Sequence, residues 1–165
     1  MVKLYHYTDK AGYDAIRRTQ KIRKSTDTAN DARYGVGVYL TSLSPRNRSK
    51  VVISKNNYDG ARGGQFAYNQ MDDGKVDYWF EFDIDSSKVT AYKGARDIWL
   101  FPGNDISFAD YPPTNHGDFN SFGKAKPSSE ELESLKALLD LANISMSAAL
   151  PWAALASVVL GRATQ

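Results

Sequence analysis

The segment Tyr34-Gly35-Val36-Gly37-Val38-Tyr39-Leu40-Thr41 decides between two fold classes. A Gly-x-Gly pair that leaves a strand and opens a helix would cradle a dinucleotide pyrophosphate. Here the glycines come first and a β-branched and aromatic run follows, so they lead into a strand instead. A doubly wound parallel sheet loses its best support, and the rest of the chain has no regular strand–helix alternation to restore it. The expected class is α+β.

Upstream of this segment, Lys3 to Tyr7 reads as a short strand, and Thr8 or Asp9 offers an N-cap for a helix through about Arg18. Ala11, Ala15 and Ile16 are expected on its inner face, followed by a short strand near Ile22 and an exposed loop over Ser25 to Arg33. Downstream, Ser44-Pro45 opens a basic segment expected to be helical, and Asn56 to Gly74 is polar and glycine-rich, the composition of a long loop. Val76, Tyr78, Phe80, Phe82 and Ile84 then alternate with Asp77, Trp79, Glu81 and Asp83, which predicts a strand buried on one face. Glu81, Asp83 and Asp85 share the other face, and its simpler reading is a solvated surface, not a carboxylate pair. Asp72-Asp73-Gly74 reads as a turn and lacks the other ligand positions of a calcium loop. Lys88 to Tyr92 and Asp97 to Phe101 are further strand candidates, and Pro102 to Pro127 reads as irregular. Ser128 with Glu131 forms a capping box before Leu132, Leu135, Leu138 and Leu139, and a second helix is expected from near Pro151 to Gly161. The expected organisation is one domain over residues 1–165, with residues 127–165 as a helical extension packed on it.

A chain of 165 residues with 42% hydrophobic and 24% charged residues suits one soluble globular domain. Without cysteine it has no disulfide, thiolate nucleophile or cysteine-ligated zinc, and His6 and His116 are its only imidazoles, so no metal is expected. The net charge of +2 conceals an uneven distribution: residues 1–50 carry eleven bases against four acids. That basic first third suits an anionic ligand, although a solvated helix end around Arg17, Arg18, Lys21, Arg23 and Lys24 would read the same way. The first residues are too polar for a secretory signal, and the longest apolar run, Ala148 to Leu160, is interrupted by Pro151 and falls short of the roughly 20 residues that span a bilayer. A cytoplasmic protein without membrane attachment is expected, delivery as a toxin or effector remaining open.

Three segments together carry a family likeness. Leu4-Tyr5-His6-Tyr7-Thr8, Gly35-Val36-Gly37-Val38-Tyr39-Leu40-Thr41 and Asp97-Ile98-Trp99-Leu100-Phe101-Pro102 resemble the three signature strands of the ADP-ribosyltransferase superfamily, in its H-Y-[E/D] branch. The likeness is greatest to the HYD-type polymorphic-toxin ADP-ribosyltransferases, where Asp takes the third position. It implies a split pair of small antiparallel sheets around a cleft that binds NAD as co-substrate. It also implies a catalytic set of His6, Tyr39 and Asp97: His6 on a ribose 2′-hydroxyl, Tyr39 stacked on nicotinamide, and Asp97 facing the ribose at the scissile bond. The backbone of Tyr7 would meet the carboxamide, Thr8 and Gly37 would border the cofactor, and Tyr58 is a candidate to close the nicotinamide pocket. Arg23 and Arg33 are the expected pyrophosphate partners, because guanidinium pairs bidentately with phosphate oxygens.

The chemistry gives independent reasons for these residue types. A phenol face attracts the cationic nicotinamide ring by roughly 0.5–2 kcal/mol. Breaking the C–N bond builds positive charge on the ribose, where a carboxylate stabilises the transition state more than the ground state. A neutral imidazole has one donor and one acceptor with which to orient a hydroxyl. Relatives that modify arginine carry a second acid two positions before the catalytic carboxylate; here that position is Ala95, so arginine is not the expected acceptor. Asp is one methylene shorter than the Glu of polymerising relatives, which favours single transfer. The expected activity is NAD-dependent mono-ADP-ribosylation, a glycosyl transfer, of a protein or nucleic-acid acceptor. NAD hydrolysis and silent binding of NAD or ADP-ribose are the alternatives.

Overall fold

Alternation in the central strand organises the molecule, whose structure is a computed structural model describing residues 1–27, 32–58, 64–92 and 94–119. In order, the elements are β1 (Val2–Thr8), α1 (Lys10–Thr19), β2 (Lys21–Ile22), β3 (Gly37–Leu40), α2 (Lys50–Asn57), α3 (Gly64–Asp72), β4 (Tyr78–Ile84), β5 (Thr90–Tyr92), β6 (Ile98–Pro102), β7 (Ile106–Ser107) and β8 (Asn115–Asp118). They form three small antiparallel sheets, β1-β4-β8, β3-β6-β5 and β2-β7, where two were expected. The expected helices after Ser128 lie outside the described residues.

Both faces of β4 are buried in its first half. Phe80, Phe82 and Ile84 join Leu4, Ile22, Val38, Leu40, Phe101 and Ile106 beneath α1, while Trp79 packs with Tyr5, Tyr7, Ile53, Val76 and Phe119 against α2. Each fully enclosed side chain of this kind contributes about 1.5–3 kcal/mol relative to exposure. The face read as solvated is therefore corrected. Glu81 is only 5% exposed and takes Lys3 Nζ at 2.7 Å and Thr114 Oγ1 at 3.1 Å, with Arg46 Nη2 at 3.7 Å. Burial alone would raise its pKa, and the hydrogen bonds from Lys3, Tyr5 and Thr114 outweigh it, so the carboxyl lies below its ordinary value. Asp83 and Asp85 are exposed as expected.

Helix α1 starts where its cap says it should: Asp9 accepts Gly12 N–H at 2.7 Å and is held by Lys75. Its inner face is Tyr13 and Ile16, whereas Ala11 is exposed. Within the stretch expected to be a loop, Gly64–Asp72 is helical, because Ala67 packs on α2 and its carbonyl accepts the buried Ser54 hydroxyl at 2.6 Å. Asp72-Asp73-Gly74 is the turn that ends this helix, with Gly74 at φ 75°. The stretch expected to be irregular contains β7 and β8; the latter has no apolar alternation and forms by pairing its backbone with the open edge of β4.

Gly37, where β3 begins, is required by close packing. A Cβ there would stand 2.3 Å from the Phe101 carbonyl oxygen and 2.8 Å from Leu100 Cδ1. Gly37→Ala is expected to lower stability by about 1–3 kcal/mol, as overpacking does, and to shift the urea midpoint without changing its slope. An unchanged midpoint would contradict this packing.

Candidate active site

The site begins at a missing rung between β1 and β3. Peptide groups along a strand point alternately to its two edges. On the outer edge of β3, Gly37 exchanges two bonds with Ser25 (2.8 and 3.1 Å), and Thr41, just past the strand, exchanges two with Tyr5 of β1 (2.8 and 3.0 Å). Tyr39 lies midway and aims its N–H and C=O at the same edge. In antiparallel register its partner is Tyr7, two residues beyond Tyr5, whose peptide groups point away from β4 for the same reason. Among the described residues no backbone bond joins Tyr7 to Tyr39. The Tyr39 carbonyl instead accepts from His6 Nδ1 at 3.1 Å.

That contact fixes the imidazole. A carbonyl only accepts, so Nδ1 carries the hydrogen and Nε2 is left with its lone pair. Burial lowers the His6 pKa below 6.5, against a smaller opposing effect of the Tyr39 carbonyl. Tyr39 is fixed as well: its hydroxyl donates to the Gly35 carbonyl and accepts Tyr34 N–H, both at 2.9 Å. Burial raises its pKa, so the phenol stays neutral at physiological pH.

Asp97, immediately before β6, is tied to the same end of β3. Its Oδ2 accepts from Thr41 Oγ1 at 2.6 Å, from Ser42 Oγ at 2.9 Å and from Ser42 N–H, and Oδ1 accepts from Trp99 Nε1 at 3.0 Å. Oδ1 therefore keeps acceptor capacity beyond that single donor. Thr41 both pairs with Tyr5 and bonds Asp97, which links the carboxylate to β1 one residue away from His6. Thr41, Ser42 and Trp99 were not singled out from the sequence, nor was Asn56, whose side chain meets the Asp97 backbone. The short polar residues after Tyr39 are the only local signal, and they mean nothing until Asp97 is placed beside them.

The remaining expected residues lie around this centre. Tyr58 caps α2, where its ring meets Phe66 edge-on at 6.2 Å and packs on the cluster containing Tyr5, Tyr7 and Trp79. Thr8 lies on the α1 side: its hydroxyl is so near Gly12 that a Cβ there would be 2.1 Å away. Arg23 and Arg33 are exposed; in sequence Arg23 precedes Ser25 and Arg33 precedes Gly37, the pair at the start of β3. Among the described residues no three His, Cys, Asp or Glu side chains gather as metal ligands, and no helix is long and apolar enough to cross a membrane.

Residues 4–107 match the family model described as the HYD1 signature containing ADP-ribosyltransferase. The chain belongs to this family. The match starts at Leu4 in β1 and runs through β7, so it takes in His6, Tyr39 and Asp97 together with the helices between them. No curated protein and no solved structure matches the chain. ADP-ribosyltransferases as a class take NAD as co-substrate and move its ADP-ribose to an acceptor, and this chain is a toxin-type member by its family.

Because His6 is held neutral, the folded protein resists a proton that the unfolded chain takes up. Its contribution to stability is fully present above about pH 6.5 and is lost as the pH falls through the depressed folded value. An NMR titration of the ring is expected to place its midpoint below 6.5. His6→Gln should then flatten the acid limb of the melting temperature between pH 7 and 5. A midpoint at or above 6.5 would refute the dominance of burial over the Tyr39 carbonyl.

Proposed function

We propose that this ADP-ribosyltransferase domain is an NAD-dependent mono-ADP-ribosyltransferase whose working residues are His6, Tyr7, Tyr39 and Asp97. The missing rung carries the reading. A carboxamide has an N–H donor and a C=O acceptor in the arrangement of a peptide group, so nicotinamide would complete the edge by pairing with the Tyr7 backbone. The Tyr39 ring beside it would stack on the cationic pyridinium. The lone pair on His6 Nε2 would accept the hydrogen of a ribose hydroxyl, which orients the sugar without any change in protonation.

Reaction follows from the placement of Asp97. As the glycosidic C–N bond breaks, its electron pair moves to the nicotinamide nitrogen and positive charge develops on the ribose. The open side of Asp97 Oδ1 would stabilise that charge, and the held Oδ2 prevents the carboxylate from turning away. The acceptor's lone pair then forms the new bond to the ribose carbon. Nicotinamide leaves neutral and the acceptor's proton passes to solvent. The short Asp, without a second acid at Ala95, supports single transfer to an acceptor other than arginine. Thr8, Gly37 and Tyr58 are assigned to the nicotinamide border on the resemblance, and Arg23 and Arg33 to the pyrophosphate on the basic charge of the first third and the bidentate pairing of guanidinium with phosphate. The acceptor is a macromolecule, protein or nucleic acid.

Incubation with NAD labelled in its adenylate half, with and without cell lysate, is expected to release nicotinamide and label a macromolecule. Free ADP-ribose as the sole product would make the protein a glycohydrolase, and binding without turnover a silent module. Asp97→Ala should reduce nicotinamide release by about 100-fold or more, the scale of losing one oriented electrostatic group. Tyr39→Phe should retain more turnover than Tyr39→Ala because it keeps the ring face. Full turnover in a folded Asp97→Ala protein removes the carboxylate assignment.

A further inference from the structure

A buried amide on α2 holds the Asp97 peptide. Asn56 is 9% exposed, and its Oδ1 accepts Asp97 N–H at 2.7 Å while its Nδ2 donates to the Asp97 carbonyl at 2.9 Å. The side-chain amide thus makes the two bonds a neighbouring strand would make, at a point where β6 has not yet begun. Nδ2 also lies 3.3 Å from Thr41 Oγ1 and 3.3 Å from Asn57 Oδ1. The Thr41 oxygen has one hydrogen and two lone pairs. Asn56 and Leu43 N–H (3.2 Å) donate to the lone pairs, so the hydrogen is directed at Asp97 Oδ2, 2.6 Å away.

The hold is reciprocal. Arg96 donates through Nε to the Asn56 carbonyl and through Nη2 to the Asn57 carbonyl at 2.7 Å, which satisfies open carbonyls at the C-terminal end of α2. Residues 96–97 and the last turn of α2 are therefore one hydrogen-bonded unit, and Tyr58 follows directly from that turn.

We propose that Asn56 is a positioning residue for the reaction: it fixes the Asp97 backbone and the Thr41 hydroxyl together, and so sets where the carboxylate points. This rests on the reading of Asp97 as the group facing the ribose. Asn56 acts through Asp97 and Thr41, so its loss changes kcat for nicotinamide release and leaves KM for NAD nearly constant.

The test compares wild type, Asn56→Ala, Asn56→Asp and Ser54→Ala. Ser54→Ala removes a buried bond from the same helix to Ala67 and touches nothing at Asp97. Nicotinamide release, melting temperature and hydrogen exchange of the Asp97 amide are measured on each folded protein. Asn56→Ala is expected to lower kcat by on the order of 10- to 100-fold, with KM within about twofold and protection of the Asp97 amide lost. Asn56→Asp keeps an acceptor for Asp97 N–H, so protection should remain while kcat still falls. Ser54→Ala should melt earlier with kcat retained.

If Asn56→Ala loses no more kcat than Ser54→Ala, or loses KM instead, the positioning role is wrong. Should Asn56→Ala fail to fold, Asn56→Asp decides by the same comparison of kcat. Should wild type release no nicotinamide, the proposed function fails by itself. An Asp97 amide equally protected in wild type, Asn56→Ala and Asn56→Asp would then overturn the clamp separately.

Discussion

Everything about this site follows from an antiparallel ladder that stops one rung early. β1 and β3 meet through Tyr5 and Thr41, and the His6 imidazole takes the Tyr39 carbonyl that the next peptide, Tyr7, would have bonded. The exchange leaves the Tyr7 peptide and the Tyr39 N–H without a backbone partner among the described residues. An unpaired peptide group in a protein interior costs on the order of 1–3 kcal/mol, so such an edge is maintained only beside solvent or for a ligand. Histidine suits the stop: its ring satisfies the Tyr39 carbonyl with Nδ1–H and still presents an acceptor at Nε2.

The carboxylate depends on the same junction. Thr41, just past β3, both pairs with Tyr5 and holds Asp97, so the last rung to β1 and the placement of the acid share one residue. Asn56 arrives from the helical side and ties the two together. The site is thus assembled from two edges and a helix end, and none of the three sheets contains it.

Parts of this were legible from residue order because they are local. Tyr39 after two glycines, His6 between apolar neighbours, the cap at Asp9 and the alternation of β4 each announce themselves within a few residues. What could not be read depends on long-range partners. Glu81 looked solvated because its alternation with Phe80 and Phe82 says nothing about a second packed layer, which Trp79 and α2 supply. Gly64–Asp72 looked like a loop because the glycines around it and its polar residues hide its buried anchor, Ala67. β8 has no signature of its own, since the edge of β4 imposes its conformation. Asn56 is an ordinary polar residue near the end of a helix until Asp97, 41 positions later, is brought against it.

Which interaction sets the register at the junction is a question of magnitude. Val38 and Leu40 of β3 point into the core beneath α1, and Tyr39 and Thr41 therefore point the other way. A slip of one residue would exchange the two sets, taking Val38 and Leu40 out of that core and separating the Tyr39 and Thr41 hydroxyls from their partners. Two such side chains contribute roughly 3–6 kcal/mol by burial, whereas the His6–Tyr39 bond contributes about 1 kcal/mol net. The core, then, sets the register, and the imidazole occupies the gap that this register leaves. Substituting His6 is accordingly expected to leave β3 where it is and to remove only the group that ends the ladder.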